Sequence, residues 1–262
     1  MLECVVNISE GTDSVVLSDM AAACGSDLLD LHHDRHHNRS VFTLVGEVAP
    51  RQLAAQAVRR LDLAHHVGAH PRLGVVDVVP FVALDGSTFS DALEARDRFS
   101  RWLADELSVP SFLYGPQRSL PEVRRHAWHG LVPDVGPAAP HPSAGAACVG
   151  ARQPLVAYNV WLAEPDLALA KRVAAAIRRP GLRALGLQVG SRVQVSMNLI
   201  DPTVLGPADA FDIVASLTSV AGAELVGLVP EAVLRRIEPA RWTSLDLSAD
   251  ITIEERRRRA RR

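Results

Sequence analysis

The chain has 262 residues, 48% of them hydrophobic, enough to fill one large core or two small ones and too many for a wholly disordered chain. Its formal net charge of -2 gives no broad electrostatic footprint for nucleic acid, and the single basic run, Arg256 to Arg262, reads as a frayed, solvated tail. Cys4, Cys24 and Cys148 are far apart with no C-x-x-C pair, no basic-then-apolar leader opens the sequence, and no apolar stretch reaches membrane-span length; a cytoplasmic protein without disulfides, zinc knuckle or membrane segment is expected.

Leu2 to Ser9 reads as a strand, and Glu10-Gly11-Thr12-Asp13 turns the chain into a helix from Asp13 to Cys24, with Thr12 as cap and Gly25 as stop. Asp27 to Leu31 is a second strand, entering the polar segment His32-His33-Asp34-Arg35-His36-His37-Asn38. Ser40 to Gly46 alternates as a third strand, and Pro50 opens an amphipathic helix to His66 with Leu53, Ala57, Val58 and Leu61 on one stripe. The unbroken run Val75 to Val82 has the character of a strand buried on both faces. Ser87 or Thr88 then caps a helix to Leu107, and Ser111 to Gly115 is a short strand. Strand, helix, strand, strand, helix, strand is the order of a ferredoxin-like unit.

The second half repeats that order. Pro154 to Leu162 is a strand, Glu164 to Arg178 a helix stopped by Pro180-Gly181, and Leu182 to Val189 pairs with Val193 to Leu199 across Gly190-Ser191. A helix from Pro207 to Ala221 and a strand from Glu224 to Val229 complete the repeat. The expected fold class is α/β of the α+β kind: two ferredoxin-like subdomains with mainly antiparallel sheets and a cleft between them. Residues 1–150 form the first, residues 151–240 the second, and residues 241–262 a C-terminal tail. Within the first, residues 117–150 are a connector rich in Pro, Gly and Ala, long enough to suggest that it packs into the cleft or forms a lid.

The candidate chemistry lies on the turn Val67-Gly68-Ala69-His70-Pro71-Arg72-Leu73-Gly74, between the amphipathic helix and the buried strand. Gly68 and Gly74 bracket this turn and Pro71 stiffens it, so His70 and Arg72 are expected on a rigid sheet edge, where α/β proteins commonly place reactive groups.

Further motifs surround this turn in order. They are Glu3-Cys4-Val5, Asn7 and Ser9-Glu10-Gly11; Asn38-Arg39-Ser40-Val41 and Val45-Gly46; Asp77-Val78 and Pro80-Phe81; Leu113-Tyr114-Gly115, Leu120-Pro121, Pro133-Asp134 and Gly136-Pro137; and Gly150-Ala151-Arg152, Val195-Ser196, Asn198-Leu199, Asp201 and Leu225 to Pro230. Across nearly the whole chain this set resembles the formiminotransferase domain family of histidine degradation. The resemblance implies two ferredoxin-like subdomains around a folate cleft, tetrahydrofolate as co-substrate, formiminoglutamate as donor, no metal and a homodimer. It places the catalytic histidine at His70, and it puts Glu10, Gly74, Tyr114 and Gly115 among the substrate- or folate-binding positions. Ala69 stands where the family commonly has an acidic residue, and the family's acid just before the Asn38-Arg39 motif is replaced within the histidine cluster. No cyclodeaminase portion follows in this sequence, so channelling to a fused second enzyme is not expected.

The chemistry of such a site can be derived from the reaction. N5 of tetrahydrofolate attacks the amidine carbon, and the tetrahedral intermediate collapses with loss of glutamate. A proton leaves the attacking nitrogen and one reaches the departing nitrogen. A single histidine can do both near neutral pH, contributing roughly 10²–10⁴-fold. Arginines suit the carboxylates of glutamate and of the folate tail, which makes Arg39 and Arg72 the expected anchors; surface ion pairing is the plain alternative for each. Asn7, Asn38 and Asn198 begin or end strands, where an amide can face a pterin ring.

Two other functions stay open at this level. The cluster His32, His33, Asp34, His36 and His37 contains metal-ligand types, which admits a metal-dependent hydrolase, although its spacing matches no helical H-E-x-x-H; a polar rim with His32 or His37 orienting substrate is the simpler account. The changes at Ala69 and in the histidine loop admit a folate-binding homologue that acts on 5-formyltetrahydrofolate. His65 and His66 are explained by a helix C-terminus, whose dipole favours them.

Overall fold

Alternation along Leu2–Ile8 builds the central strand β1: Cys4, Val6 and Ile8 are fully buried on one face, while Val5 and Asn7 point to the other. Helix α1 (Ser14–Cys24) follows, capped by Asp13, whose carboxylate accepts from Val15 and Val16 N–H at 2.9 and 3.1 Å. The expected cap Thr12 instead bonds Glu10. Strands β2 (Leu28–Asp34) and β3 (Arg39–Val45) form a hairpin around the histidine-rich turn. Helix α2 (Val48–Arg60) ends six residues before His66, and a 3₁₀ turn over Leu63–His65 takes up part of the remainder. Strand β4 (Val76–Ala83) is buried nearly throughout, as its apolar run requires.

Helix α3 (Phe89–Leu107) opens on a reciprocal capping box between Thr88 and Asp91. Strand β5 (Ser111–Tyr114) and the short helix α4 (Leu120–His126) precede strand β6 (Ala147–Arg152). The first sheet has the order β2-β3-β1-β4-β6-β5, in which β1 to β4 take the ferredoxin-like arrangement with antiparallel pairs and β6 runs parallel to both β4 and β5. The connector expected from sequence therefore contributes an interior strand. Its composition, Ala-Cys-Val-Gly-Ala, has Val149 alone among the β-branched and aromatic residues that announce strands. The reason for the small residues is spatial: the ring of Tyr114 lies against Gly150, where any side chain would collide with it. One face of the sheet packs on α1, α2 and α3. The other carries a smaller cluster in which Val123 of α4 meets Val78, Phe112, Tyr114 and Cys148.

In the second half, β7 (Val156–Leu162), α5 (Leu167–Ile177), β8 (Leu182–Val189), β9 (Arg192–Leu199), α6 (Pro207–Ala215) and β10 (Val220–Val226) form an antiparallel sheet of order β10-β7-β9-β8. Helix α6 ends six residues before the expected Ala221, and β10 begins at Val220 rather than Glu224. The extra Val220-Ala221-Gly222-Ala223 stretch contains a register shift between Val220 and Gly222, which hides the strand's alternation.

Helix α7 (Glu231–Leu234), three 3₁₀ turns and helix α8 (Ile253–Ala260) follow. The Tyr158 hydroxyl donates to the Leu245 carbonyl at 2.8 Å, and Leu245 and Ile253 are buried. The basic run from Arg256 is helical as far as residue 260, with Arg256 donating to the Asp250 carbonyl and Arg259 paired with Glu255, which replaces the frayed-tail expectation over those residues. This computed structural model describes residues 1–68, 71–84 and 86–260, and the chain divides into two units, Met1–Arg152 and Gln153–Arg262.

Candidate active site

Three loops of the first unit meet at Asn38. This residue adopts a φ of 46°, a left-handed conformation that asparagine tolerates better than most residues. Its Oδ1 accepts the Gly11 N–H at 2.9 Å, its Nδ2 donates to the Val67 carbonyl at 2.9 Å, and its own carbonyl accepts from His66 Nε2 at 2.9 Å. The loops after β1, β2 and α2 are thereby pinned to one another. Gly68 permits the contact, because a Cβ there would lie 2.5 Å from the His37 carbonyl oxygen.

The next residue, Arg39, starts β3 beside Asn7 of β1. Its Nε and Nη2 donate to Asn7 Oδ1 at 3.0 and 2.7 Å, and its Nη1 donates to Asp77 Oδ2 at 2.7 Å. Arg124 arrives from α4 and donates Nη2 to the same Asp77 oxygen at 2.6 Å and Nη1 to the Pro71 carbonyl at 3.0 Å. The other carboxylate oxygen of Asp77 accepts the Leu73 N–H at 2.8 Å. Asp77 is fully buried, and burial alone would raise its pKa; the Arg39 and Arg124 guanidiniums with the Leu73 N–H outweigh that and hold the carboxyl below the usual carboxylate range. Two guanidiniums on one carboxylate leave this trio with a net charge of +1. Burial pushes the neighbouring Cys148 thiol up to about 12, so it is an uncharged neighbour and not a nucleophile at neutral pH.

Arg72 faces its own loop: Nη1 bonds His66 Nδ1 and, at 3.2 Å, the His66 carbonyl, while Nη2 donates to the Gly68 carbonyl. Gly74 carries a carbonyl that accepts from Ser9 Oγ at 2.8 Å. One oxygen of Glu10 accepts from Thr12 N–H at 2.6 Å, Thr12 Oγ1 at 2.9 Å and Asp13 N–H at 2.8 Å. Burial opposes the Glu10 charge, but these bonds hold its pKa below the ordinary value, so it braces the turn into α1 as an anion.

The remaining sequence candidates lie elsewhere. Tyr114 ends β5 and Gly115 follows it, and Arg96 Nη1 donates to both of their carbonyls and to Gln117 Oε1, the last at 3.0 Å. Asn198 is exposed on β9 of the second unit. His70 lies outside the described residues. In the histidine segment, the His33 ring meets the Gly11 carbonyl at 3.2 Å, His36 and His37 meet edge to face at 5.5 Å, and the His37 N–H donates to Asp34 at 2.7 Å. Among the described residues no three His, Cys, Asp or Glu side chains converge as a metal-ligand set.

Sequence alone assigns no site role to Asp77, Arg124 or His66. Asp77 did leave a signal: an acid inside an otherwise apolar strand has to be paired when it is buried. Arg124 left none, since only the packing of α4 beside β5 and β6 brings it to the ends of β1, β3 and β4. The helix terminus expected to explain His66 falls at Arg60, six residues earlier.

Fold and site together define an α+β protein of two ferredoxin-like units, with a loop-borne polar cluster at the ends of β1, β3 and β4 in the first. The comparisons with known proteins agree with that class. Residues 1–152 match the model of the formiminotransferase domain, N-terminal subdomain, and the chain belongs to the formiminotransferase family. It is 34% identical to a glutamate formimidoyltransferase of Streptococcus pyogenes, covering 89% of this chain and 90% of that one. Similarity to the glutamate formimidoyltransferase of Thermoplasma acidophilum is 31% identity, over 89% of each chain. The formimidoyltransferase-cyclodeaminase of Sus scrofa is 34% identical over 88% of this chain, which spans half the length of that relative.

Proposed function

We propose that the protein transfers the formimino group from N-formimino-L-glutamate to N5 of tetrahydrofolate, releasing glutamate. The observation that carries this reading is the positive trio Arg39, Asp77 and Arg124, fastened beside the turn that continues from His70. Both substrates are polycarboxylates, and a partly buried net positive charge at loop ends attracts and orients them. Arg39 is the group assigned to a substrate carboxylate, with Asn7 holding its orientation. The names of the relatives point to the same reaction.

In this reading, the bond from N5 to the amidine carbon forms and the bond from that carbon to the glutamate nitrogen breaks. His70 takes the proton from N5 and returns one to the leaving amine. Ordering two substrates on fixed loops supplies much of the acceleration, because a bimolecular encounter becomes an intramolecular one. The tetrahydrofolate is consumed as a co-substrate, and the chemistry calls for no covalent enzyme intermediate. We also propose a cytoplasmic homodimer, for which light scattering at micromolar concentration would give twice the 28.3 kDa chain mass.

The deciding experiment incubates the purified protein with formiminoglutamate and measures glutamate release with and without tetrahydrofolate. Release that depends on tetrahydrofolate, with formation of 5-formiminotetrahydrofolate, supports the proposal. Turnover confined to a parallel arm with 5-formyltetrahydrofolate would overturn it in favour of a formyl-folate substrate.

A further inference from the structure

His66 forms hydrogen bonds that fix its state. The Asn38 carbonyl can only accept, so the His66 Nε2 that meets it at 2.9 Å carries the proton. Arg72 can only donate, so the His66 Nδ1 that meets its Nη1 is the acceptor. The ring is therefore neutral and in the Nε2–H tautomer. A second proton on Nδ1 would set an N–H against the guanidinium.

The arrangement spans the ends of the loop that contains position 70. Arg72, two residues after it, reaches back to the ring and carbonyl of His66 and to the carbonyl of Gly68. His66, four residues before it, is tied to Asn38, and Asn38 in turn holds Val67 and Gly11. On the other side, the Arg124–Pro71 and Asp77–Leu73 bonds fix the outgoing chain. One imidazole and one guanidinium thus tie Arg72 to His66 and Gly68 before the chain meets the rest of the sheet.

We propose that His66 is a positioning residue for the transfer reaction: as the neutral Nε2–H tautomer it joins Arg72 to Asn38 and so fixes the two flanks of position 70. Arg72 then acts through the loop as its clasp. This rests on the transferase reading. It makes a prediction that a carboxylate anchor would not: loss of the clasp lowers kcat, because misplacing a proton-transfer group affects the chemical step, whereas loss of a ground-state anchor chiefly raises KM.

The test compares His66→Gln, His66→Leu and Arg72→Ala. A glutamine side chain can carry both an N–H for the Asn38 carbonyl and an acceptor for Arg72, whereas leucine carries neither. The expected result is His66→Gln within about threefold of wild type, and His66→Leu and Arg72→Ala each lowered more than about tenfold in kcat with the KM for formiminoglutamate nearly unchanged. Imidazole ¹⁵N spectra of the wild-type protein should show His66 protonated at Nε2 and bare at Nδ1. An Nδ1–H or doubly protonated His66 would overturn the proposal, as would equal loss in the Gln and Leu variants or an unchanged kcat in His66→Leu. If a variant does not fold, the tautomer measurement decides alone. Wild-type protein inactive toward formiminoglutamate would instead sink the functional reading, and the ¹⁵N pattern separates the two failures because it is read without turnover.

Discussion

Asp77 Oδ2 accepts from Arg39 at 2.7 Å and from Arg124 at 2.6 Å, so a strand residue with no exposed side-chain surface joins β3 to α4 through one oxygen atom. Replacing Asp77 with Asn removes the negative charge while both guanidiniums stay partly buried. Breaking one side of such a cluster costs on the order of 3 kcal/mol. Because its folded pKa lies below the ordinary value, the Asp77 contribution is complete above the unfolded-state pKa and is lost as pH falls toward the folded one. Urea denaturation across pH should give a constant gap between wild type and Asp77→Asn above about pH 5 that narrows below about pH 4. A gap independent of pH down to pH 2 would show that the charge has no part in it.

Arg39→Lys tests whether the fork matters or only the charge. A lysine ammonium is a compact point charge and cannot donate to Asn7 and Asp77 together as the three guanidinium nitrogens do. The lysine variant should lose nearly as much as Arg39→Ala, about 10- to 100-fold in kcat/KM for formiminoglutamate, the range expected for a lost hydrogen bond to a charged group. Steady-state kinetics showing Arg39→Lys near wild type would leave only the charge as important.

Gly150→Ala places a methyl group into the Tyr114 ring within the smaller core cluster. Overpacking of this kind costs about 1–3 kcal/mol, and the paired variant Gly150→Ala with Tyr114→Leu should recover part of it. Thermal unfolding measures both. A fully stable Gly150→Ala protein would mean that the small residues of β6 are not set by the ring above them.

The two ferredoxin-like repeats were legible because hydrophobic period and turn chemistry agree along most of the chain: β8 spans Leu182–Val189 as read, and the Thr88 capping box marks α3. Strand β6 was not legible, since a strand buried between two others and under an aromatic ring is built from residues that read as loop. Of the candidate site, Asn38 and Arg39 stood out in the sequence through the ordered motif that holds them and the carboxylate chemistry of arginine, whereas partners that come from far along the chain did not. Arg124 lies 47 positions from the carboxylate it binds. Nothing in a local pattern announces such a contact.

His70 is the residue to which the proposed proton transfer is assigned, and its substitution separates chemistry from binding. His70→Ala should lower kcat by a factor on the order of 10² or more while tetrahydrofolate binding, measured by calorimetry, is nearly unchanged, since only an interaction of the transition state is lost. The wild-type rate should also fall on the acid side through the range where imidazoles titrate, about pH 6–7, because a protonated ring cannot accept the proton from N5. The residual activity of His70→Ala should lack that acid limb. The same loop in His66→Leu keeps its histidine, so it should retain the limb at reduced amplitude, which distinguishes a misplaced base from a missing one. A His70→Ala protein with near-normal kcat and an unchanged acid limb would remove the residue from the mechanism and move the search for the proton acceptor elsewhere in the cluster around Asn38.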